Sequence, residues 1–170
     1  MILEGERVRL RPATLDDLPA FTRWYTDPEF RHYMGSGNDT FSWLRSPQSD
    51  QVNFSVEAKD GTLTGLVFVT DIRTVNRHCE LGVVAIGEPD ARDKGYGTEM
   101  LELILDFCFG EMGMHQVHVR TAEFNERARH VYAKLFPNEQ RHRDWVWADG
   151  RFWDEIYFDV TEGEWAAQSG

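Results

Sequence analysis

Three strand-like stretches follow one another with no helix between them, and a strand–loop–helix–strand unit comes straight after; few folds accommodate both runs. In residues 52–58, Val52, Phe54, Val56 and Ala58 alternate with polar side chains, the two-residue period of a strand with one buried face. Asp60-Gly61 supplies a two-residue hairpin turn, residues 63–72 return as its partner, and a third strand spans about 79–86. A helix running to about Met112 carries an apolar stripe of Met100, Leu103, Ile104, Phe107 and Cys108, and residues 115–122 read as a further strand. Consecutive strands form an antiparallel meander, whereas strand–helix–strand requires a parallel pairing. The fold class is therefore α/β (α+β), with a mixed, mostly antiparallel sheet of six to seven strands and flanking helices.

The flanks supply the remaining elements. Residues 6–11 read as a short strand, and Thr14 with Asp17 offers a weak capping box before a helix carrying Leu18, Phe21, Trp24 and Tyr25. Pro28 is expected to help end that helix, with a flexible loop at Gly35-Ser36-Gly37-Asn38-Asp39 and an irregular stretch, holding at most a short helix, up to Ser49. Asn125 is placed to cap a helix through Leu135, and Asp149-Gly150 joins residues 141–148 to 151–160 as a second hairpin. A chain of 170 residues fits one domain, 1–170, whose polar tail 161–170 is expected to fray.

Several function classes lose ground at once. No apolar run approaches the roughly 20 residues that cross a bilayer, and the first residues lack the apolar core of a secretory signal, so a cytoplasmic protein without a membrane partner is expected. Eighteen basic against 29 acidic residues give a net charge of −11, which argues against nucleic acid and suits a cationic substrate. Cys79 and Cys108 read as buried free thiols, and the six histidines show no ligand spacing, so no metal is expected.

Chemistry concentrates in Arg92-Asp93-Lys94-Gly95-Tyr96-Gly97-Thr98, between a strand and a helix. Gly95 and Gly97 let the backbone approach a ligand closely, and the helix start beyond them presents unpaired N–H groups and the positive end of its dipole. Such a corner seats a phosphate. The third small residue of a dinucleotide-binding fingerprint is replaced by Met100, and the P-loop Lys-Ser/Thr pair is absent. Arg-x-x-Gly-x-Gly remains, and on spacing alone a plain glycine turn is an equal reading.

The order of motifs goes further. Leu10-Arg11-Pro12 ahead of Asp16-Asp17, Ile86-Gly87-Glu88-Pro89 leading to Lys94-Gly95-Tyr96-Gly97-Thr98-Glu99, and Phe124-Asn125-Glu126-Arg127-Ala128 with Tyr132 and Lys134-Leu135 together resemble the GNAT superfamily of acyltransferases. Within it they resemble the branch of ribosomal-protein N-terminal and spermidine acetyltransferases. The likeness implies the GNAT fold and an acetyl-CoA-dependent N-acetyltransferase, moving an acetyl group to a primary amine on a protein N-terminus, a polyamine or another small amine. The alternative is a CoA-binding module of the same fold without turnover.

The resemblance also implies roles. Backbone N–H groups of Arg92, Asp93, Lys94, Gly95, Tyr96, Gly97 and Thr98 would hold the pyrophosphate of CoA. The strand edge at Val84, Ala85 and Ile86 would pair with the pantetheine amides, and Asn125, first a helix cap, would also touch the cofactor. Tyr132 would protonate the departing thiolate, with a packed core tyrosine as the rival reading. Glu80 would act as general base on the amine, the rival being a strand glutamate bonded to an arginine. Its spacing to Gly95 is one residue longer than in most relatives, so either a bulge absorbs Val83 or Val84 or Glu80 faces the wrong side. Phe136-Pro137 replaces the Gly-Phe usual after Leu135. The resemblance admits a homodimer.

Overall fold

The computed structural model describes residues 1–35 and 37–169; Ser36, within the expected glycine-rich loop, and Gly170 lie outside them. Eight strands form one sheet in the order β1-β2-β3-β4-β5-β6-β8-β7. They are β1 (Leu3–Glu4), β2 (Val8–Pro12), β3 (Val52–Ala58), β4 (Leu63–Arg73), β5 (His78–Ile86), β6 (Gln116–Ala122), β7 (Asn138–Ala148) and β8 (Arg151–Thr161). Only β5 and β6 run parallel, and the crossover between them is the helix α4 (Tyr96–Gly110). The expected mixed sheet is present, lengthened by the two-residue β1.

Helices cover both faces. On one side α4 and α5 (Glu126–Leu135) pack over Val67, Val69, Val117, Val119 and Phe158. Leu101 and Leu105 are buried along with Met100, Ile104, Phe107 and Cys108 of the expected stripe, because α4 is also packed by β1 and β2, while Leu103 is only partly buried. On the other side α1 (Leu18–Thr26), α2 (Pro28–Met34) and α3 (Asn38–Arg45) pack Phe21, Trp24, Phe30 and Leu44 against Leu66, Phe68 and Val83. Truncating a fully buried residue such as Ile104 to Ala would cost about 2–5 kcal/mol.

Three elements depart from the sequence reading. The helix α3 begins at Asn38, so Asn38 and Asp39 are helical where a flexible loop was expected. Pro28 starts α2 instead of merely ending α1: Asp27 Oδ1 accepts from Glu29 N at 2.9 Å, a proline-at-N1 start behind an aspartate cap. The tail does not fray: residues 162–169 form α6. Thr161 and Glu164 build a reciprocal capping box at its start, and the buried Trp165 donates its indole N–H to Asp106 at 2.8 Å.

One irregularity sets the geometry of the centre. Phe68 pairs with Val83 but Val69 pairs with Leu81, so Gly82 is an extra residue in β5. Cys79 and Leu81 face the α4 core before this bulge, and Val84 and Ile86 face it afterwards. A Cβ on Gly82 would sit 2.4 Å from Thr70 Oγ1, so only glycine fits.

Candidate functional site

The two parallel strands part almost at once. β5 pairs with β6 only through His78↔Gln116, Cys79↔Val117 and Glu80↔His118. Beyond them β6 stays with β8 up to Ala122 and β5 stays with β4 up to Ile86. Residues 81–86 thus keep one edge without a strand partner, and a V-shaped gap opens through the sheet. A cavity of about 440 Å³ fills it, within the range of small-molecule sites.

At one end of the cavity lies the glycine corner. Arg92, Asp93, Gly95, Tyr96, Gly97 and Thr98 line it, as do Val84, Ala85 and Ile86; Lys94 is exposed and stands outside the wall. Gly95 caps α4 with φ +79°, and Asp93 also sits at positive φ, 61°. The cap has no side chain, so nothing from Gly95 covers the first-turn amides, and Glu99 N is the first to reach back, to Gly95 O at 3.2 Å. A Cβ on Gly97 would meet only Ile86 Cγ1, at 3.9 Å, which leaves open space in front of these amides. That open, donor-lined cradle fits a diphosphate.

Glu99 holds the corner from behind. Its carboxylate accepts from the backbone N–H groups of Glu6, Arg7 and Val8 at 3.2, 2.8 and 2.7 Å, tying the β1–β2 turn to the first turn of α4. The same tie brings the Arg7 side chain beside Gly95. Sequence gave no sign of this cation, which lies 88 positions away from the loop (95 − 7).

The wall opposite comes from α5. Asn125 Oδ1 caps the helix, accepting from Ala128 N at 3.2 Å, and Asn125 also lines the cavity. Tyr132 lines it too, with its ring held edge-on by Phe136 at 6.0 Å and Phe158 at 5.7 Å. Burial pushes the Tyr132 hydroxyl well above its ordinary pKa, so it stays protonated and is a proton donor. Phe136, where a glycine was the usual residue, is buried as one of the two rings that fix Tyr132.

The cavity continues through the gap to the far face of the sheet. There Glu29, Phe30, Tyr33 and Met34 of α2 and Phe124 of the β6–α5 loop form its wall. His32 stacks on Phe124 at 4.5 Å and 22°, and Trp153 of β8 meets the same ring edge-on at 5.2 Å. The four α2 residues were missed because α2 was missed; the Asp27-Pro28-Glu29 start was the available signal.

Glu80 lies at the point of the V, outside the cavity wall. Arg120 Nε donates to its Oε1 at 2.6 Å, and His118 Nε2 is 3.8 Å from Oε2. Burial lowers the pKa of His118, with the Glu80 charge opposing, so the imidazole is neutral near pH 7. Its ring stacks on Tyr157 at 4.9 Å. Of the two alternatives that the spacing left open, a bulge does lie between Glu80 and Gly95, but the extra residue is Gly82 and not Val83 or Val84. Among the described residues no group of three or more His, Cys, Asp or Glu could hold a metal ion, and no helix is long and apolar enough to cross a membrane. Cys79 and Cys108 are both buried free thiols, Sγ to Sγ 3.9 Å.

Comparison with known proteins places this geometry. The family model described as "Acetyltransferase (GNAT) domain" matches residues 7–135. The chain is 25% identical over 172 residues to the SPbeta prophage-derived uncharacterized N-acetyltransferase YokL of Bacillus subtilis, covering 98% of this chain and 96% of that protein. It is 26% identical over 102 residues to the spermidine N(1)-acetyltransferase of Vibrio cholerae, covering 59% and 58%. Among solved structures, the Vibrio cholerae spermidine N-acetyltransferase in complex with CoA and spermine superposes with a TM-score of 0.80 at 18% identity, over 95% of this chain and 99% of that one. The dodecameric form of that enzyme gives a TM-score of 0.78 at 21% identity, over 98% and 100%.

Proposed function

The chain belongs to the GNAT acetyltransferase family, an acetyl-CoA-dependent N-acetyltransferase acting on an amine, and from that premise we propose how its own residues divide the work. The observation that carries the assignment is that one cavity joins the open amide cradle at Gly95 and Gly97, the unpartnered edge of β5 and the hydroxyl of Tyr132. Acetyl-CoA supplies an activated thioester. The amides of the corner from Arg92 to Thr98, with Asn125, bind its diphosphate end. The free edge at Val84, Ala85 and Ile86 orients the pantetheine arm by main-chain bonds, as strand addition does. An N–H near Val84 is available to the carbonyl oxygen as charge develops on it.

Tyr132 then delivers its proton to the departing sulfur. A thiol of pKa about 8.5 already leaves readily, so this contribution is modest. Glu80 is proposed as the acceptor of the amine's proton through solvent, since it sits at the apex on the acceptor face and outside the wall. The Arg120 guanidinium holds it there. No nucleophilic Ser or Cys stands in a triad in the cavity wall, so the amine attacks directly and no acyl-enzyme forms.

The test is release of free thiol from acetyl-CoA across a panel of amines, with intersecting kinetic patterns expected and no acetylated intermediate by mass spectrometry. Tight acetyl-CoA binding without thiol release for any acceptor would mark a binding module instead. Action in the cytosol and assembly into a homodimer belong to this proposal. The dodecamer of the Vibrio cholerae enzyme supports examining assembly, and light scattering reads it.

A further inference from the structure

We propose that Glu29 selects acceptors bearing a second positive charge apart from the reacting amine; this rests on the transferase reading above. Three carboxylates line the cavity: Asp93 belongs to the glycine corner and Glu126 to the first turn of α5, whereas Glu29 stands on α2 with Tyr33, whose ring centroid is 6.2 Å from that of Phe124. Several carboxylates elsewhere around the sheet are engaged. Glu57 is held by Arg9 and Arg11, Glu80 by Arg120, Glu88 by Arg23 and Trp24, and Glu99 by three backbone amides. The Glu29 carboxylate, among the described residues, has no ion pair or hydrogen bond.

An unpaired carboxylate next to two aromatic rings, at the rim of a cavity, suits an ammonium group: the carboxylate supplies the charge and the ring faces add cation–π attraction. The cations of the wall, Arg92 and Arg127, come from the glycine corner and the first turn of α5, and among the described residues neither forms an ion pair with Glu29. The distance from Tyr132 across the gap to α2 then separates the reacting nitrogen from the selected one. A small flexible diamine meets both requirements, whereas a neutral monoamine leaves Glu29 unmatched.

A rival role is stability alone. Glu29 is the second residue of α2, where a negative charge complements the helix dipole. The test must therefore read specificity. Thiol release is measured for an aliphatic diamine and for the monoamine of equal carbon count, in wild type, Glu29→Gln, Glu29→Asp and Glu102→Gln; Glu102 is exposed on α4, outside the cavity wall. Acetyl-CoA affinity is measured in parallel by calorimetry.

The wild type should favour the diamine by about tenfold or more in kcat/KM, expressed in KM, a difference of about 1.4 kcal/mol. Glu29→Gln should bring the ratio close to one, Glu29→Asp should retain part of it, and Glu102→Gln should keep it whole. Equal use of both amines by the wild type, or a ratio that survives Glu29→Gln, overturns the inference and leaves the transferase reading standing. Absence of thiol release with these or any other amines, acetyl-CoA still binding, overturns both.

Discussion

The two ends of the cavity are built from different materials. Around the glycine corner the wall is main chain: the amides ahead of α4, the glycines that let them be approached, and the bare edge of β5. On the far face of the sheet it is side chains brought from separate places, with Tyr33 on α2 and Phe124 after β6, whose ring is backed by Trp153 of β8. A main-chain site tolerates exchange of its surface side chains but not the filling of its empty space. A side-chain site is the reverse, free to change specificity while the backbone stays put.

Gly97→Leu should strain this contrast most. The side chain enters space bounded only by Ile86, so the fold should persist while acetyl-CoA affinity falls by about a hundredfold or more, read by calorimetry. Retained affinity would break the main-chain account. Tyr132→Phe should lower kcat by about ten- to a hundredfold with acetyl-CoA affinity nearly unchanged, and without any alkaline fall in rate traceable to Tyr132, which burial keeps protonated. Phe124→Ala should raise KM for the amine several-fold, about 1 kcal/mol of lost ring contact, and leave acetyl-CoA binding alone. Lys94→Ala, outside the wall, should weaken acetyl-CoA by only about two- to threefold, and that loss should shrink further in high salt.

A separate effect, on stability and not on activity, concerns the residues that support α1. Asp17 is buried, which disfavours its charge, yet bonds from Arg11, Thr14 and Ser55 hold its pKa below the ordinary value. Its stabilising contribution is therefore complete above about pH 4 and disappears as pH falls through the lowered value. Asp17→Asn should be less stable at pH 7 but lose less on acidification from pH 4 to pH 2, measured by urea unfolding.

What could be read in the sequence follows the same division. The glycine corner, Asn125 with its helix, and the meander were visible because each is local: a turn signal, a cap, or a two-residue period. Most of the cavity wall around that corner came with them. The acceptor wall was not visible, since Pro28 looked like a stop and its role as a start depended on weighing Asp27 as a cap. Arg7 beside Gly95 and the Arg120 bond to Glu80 are products of tertiary pairing between distant strands, which no window along the chain displays. The helix at 162–169 was misjudged for a simpler reason: its Thr161-x-x-Glu164 signature was present but followed by few apolar residues, and its anchors are the buried Trp165 together with bonds to distant Arg77, Asn138 and Leu135.

The extra glycine in β5 has a consequence for how such a chain can change. It absorbs one surplus position, so the length holding Glu80 and the length holding Val84 keep the faces that an unbroken alternation without it would give them. Deleting Gly82 would therefore set Leu81 and Val83 opposite Val69 and Phe68 in plain register, with every other residue of the strand still on its present face. A further one-residue insertion beside it, by contrast, would have to be absorbed a second time or would turn one of the two lengths to the other side of the sheet.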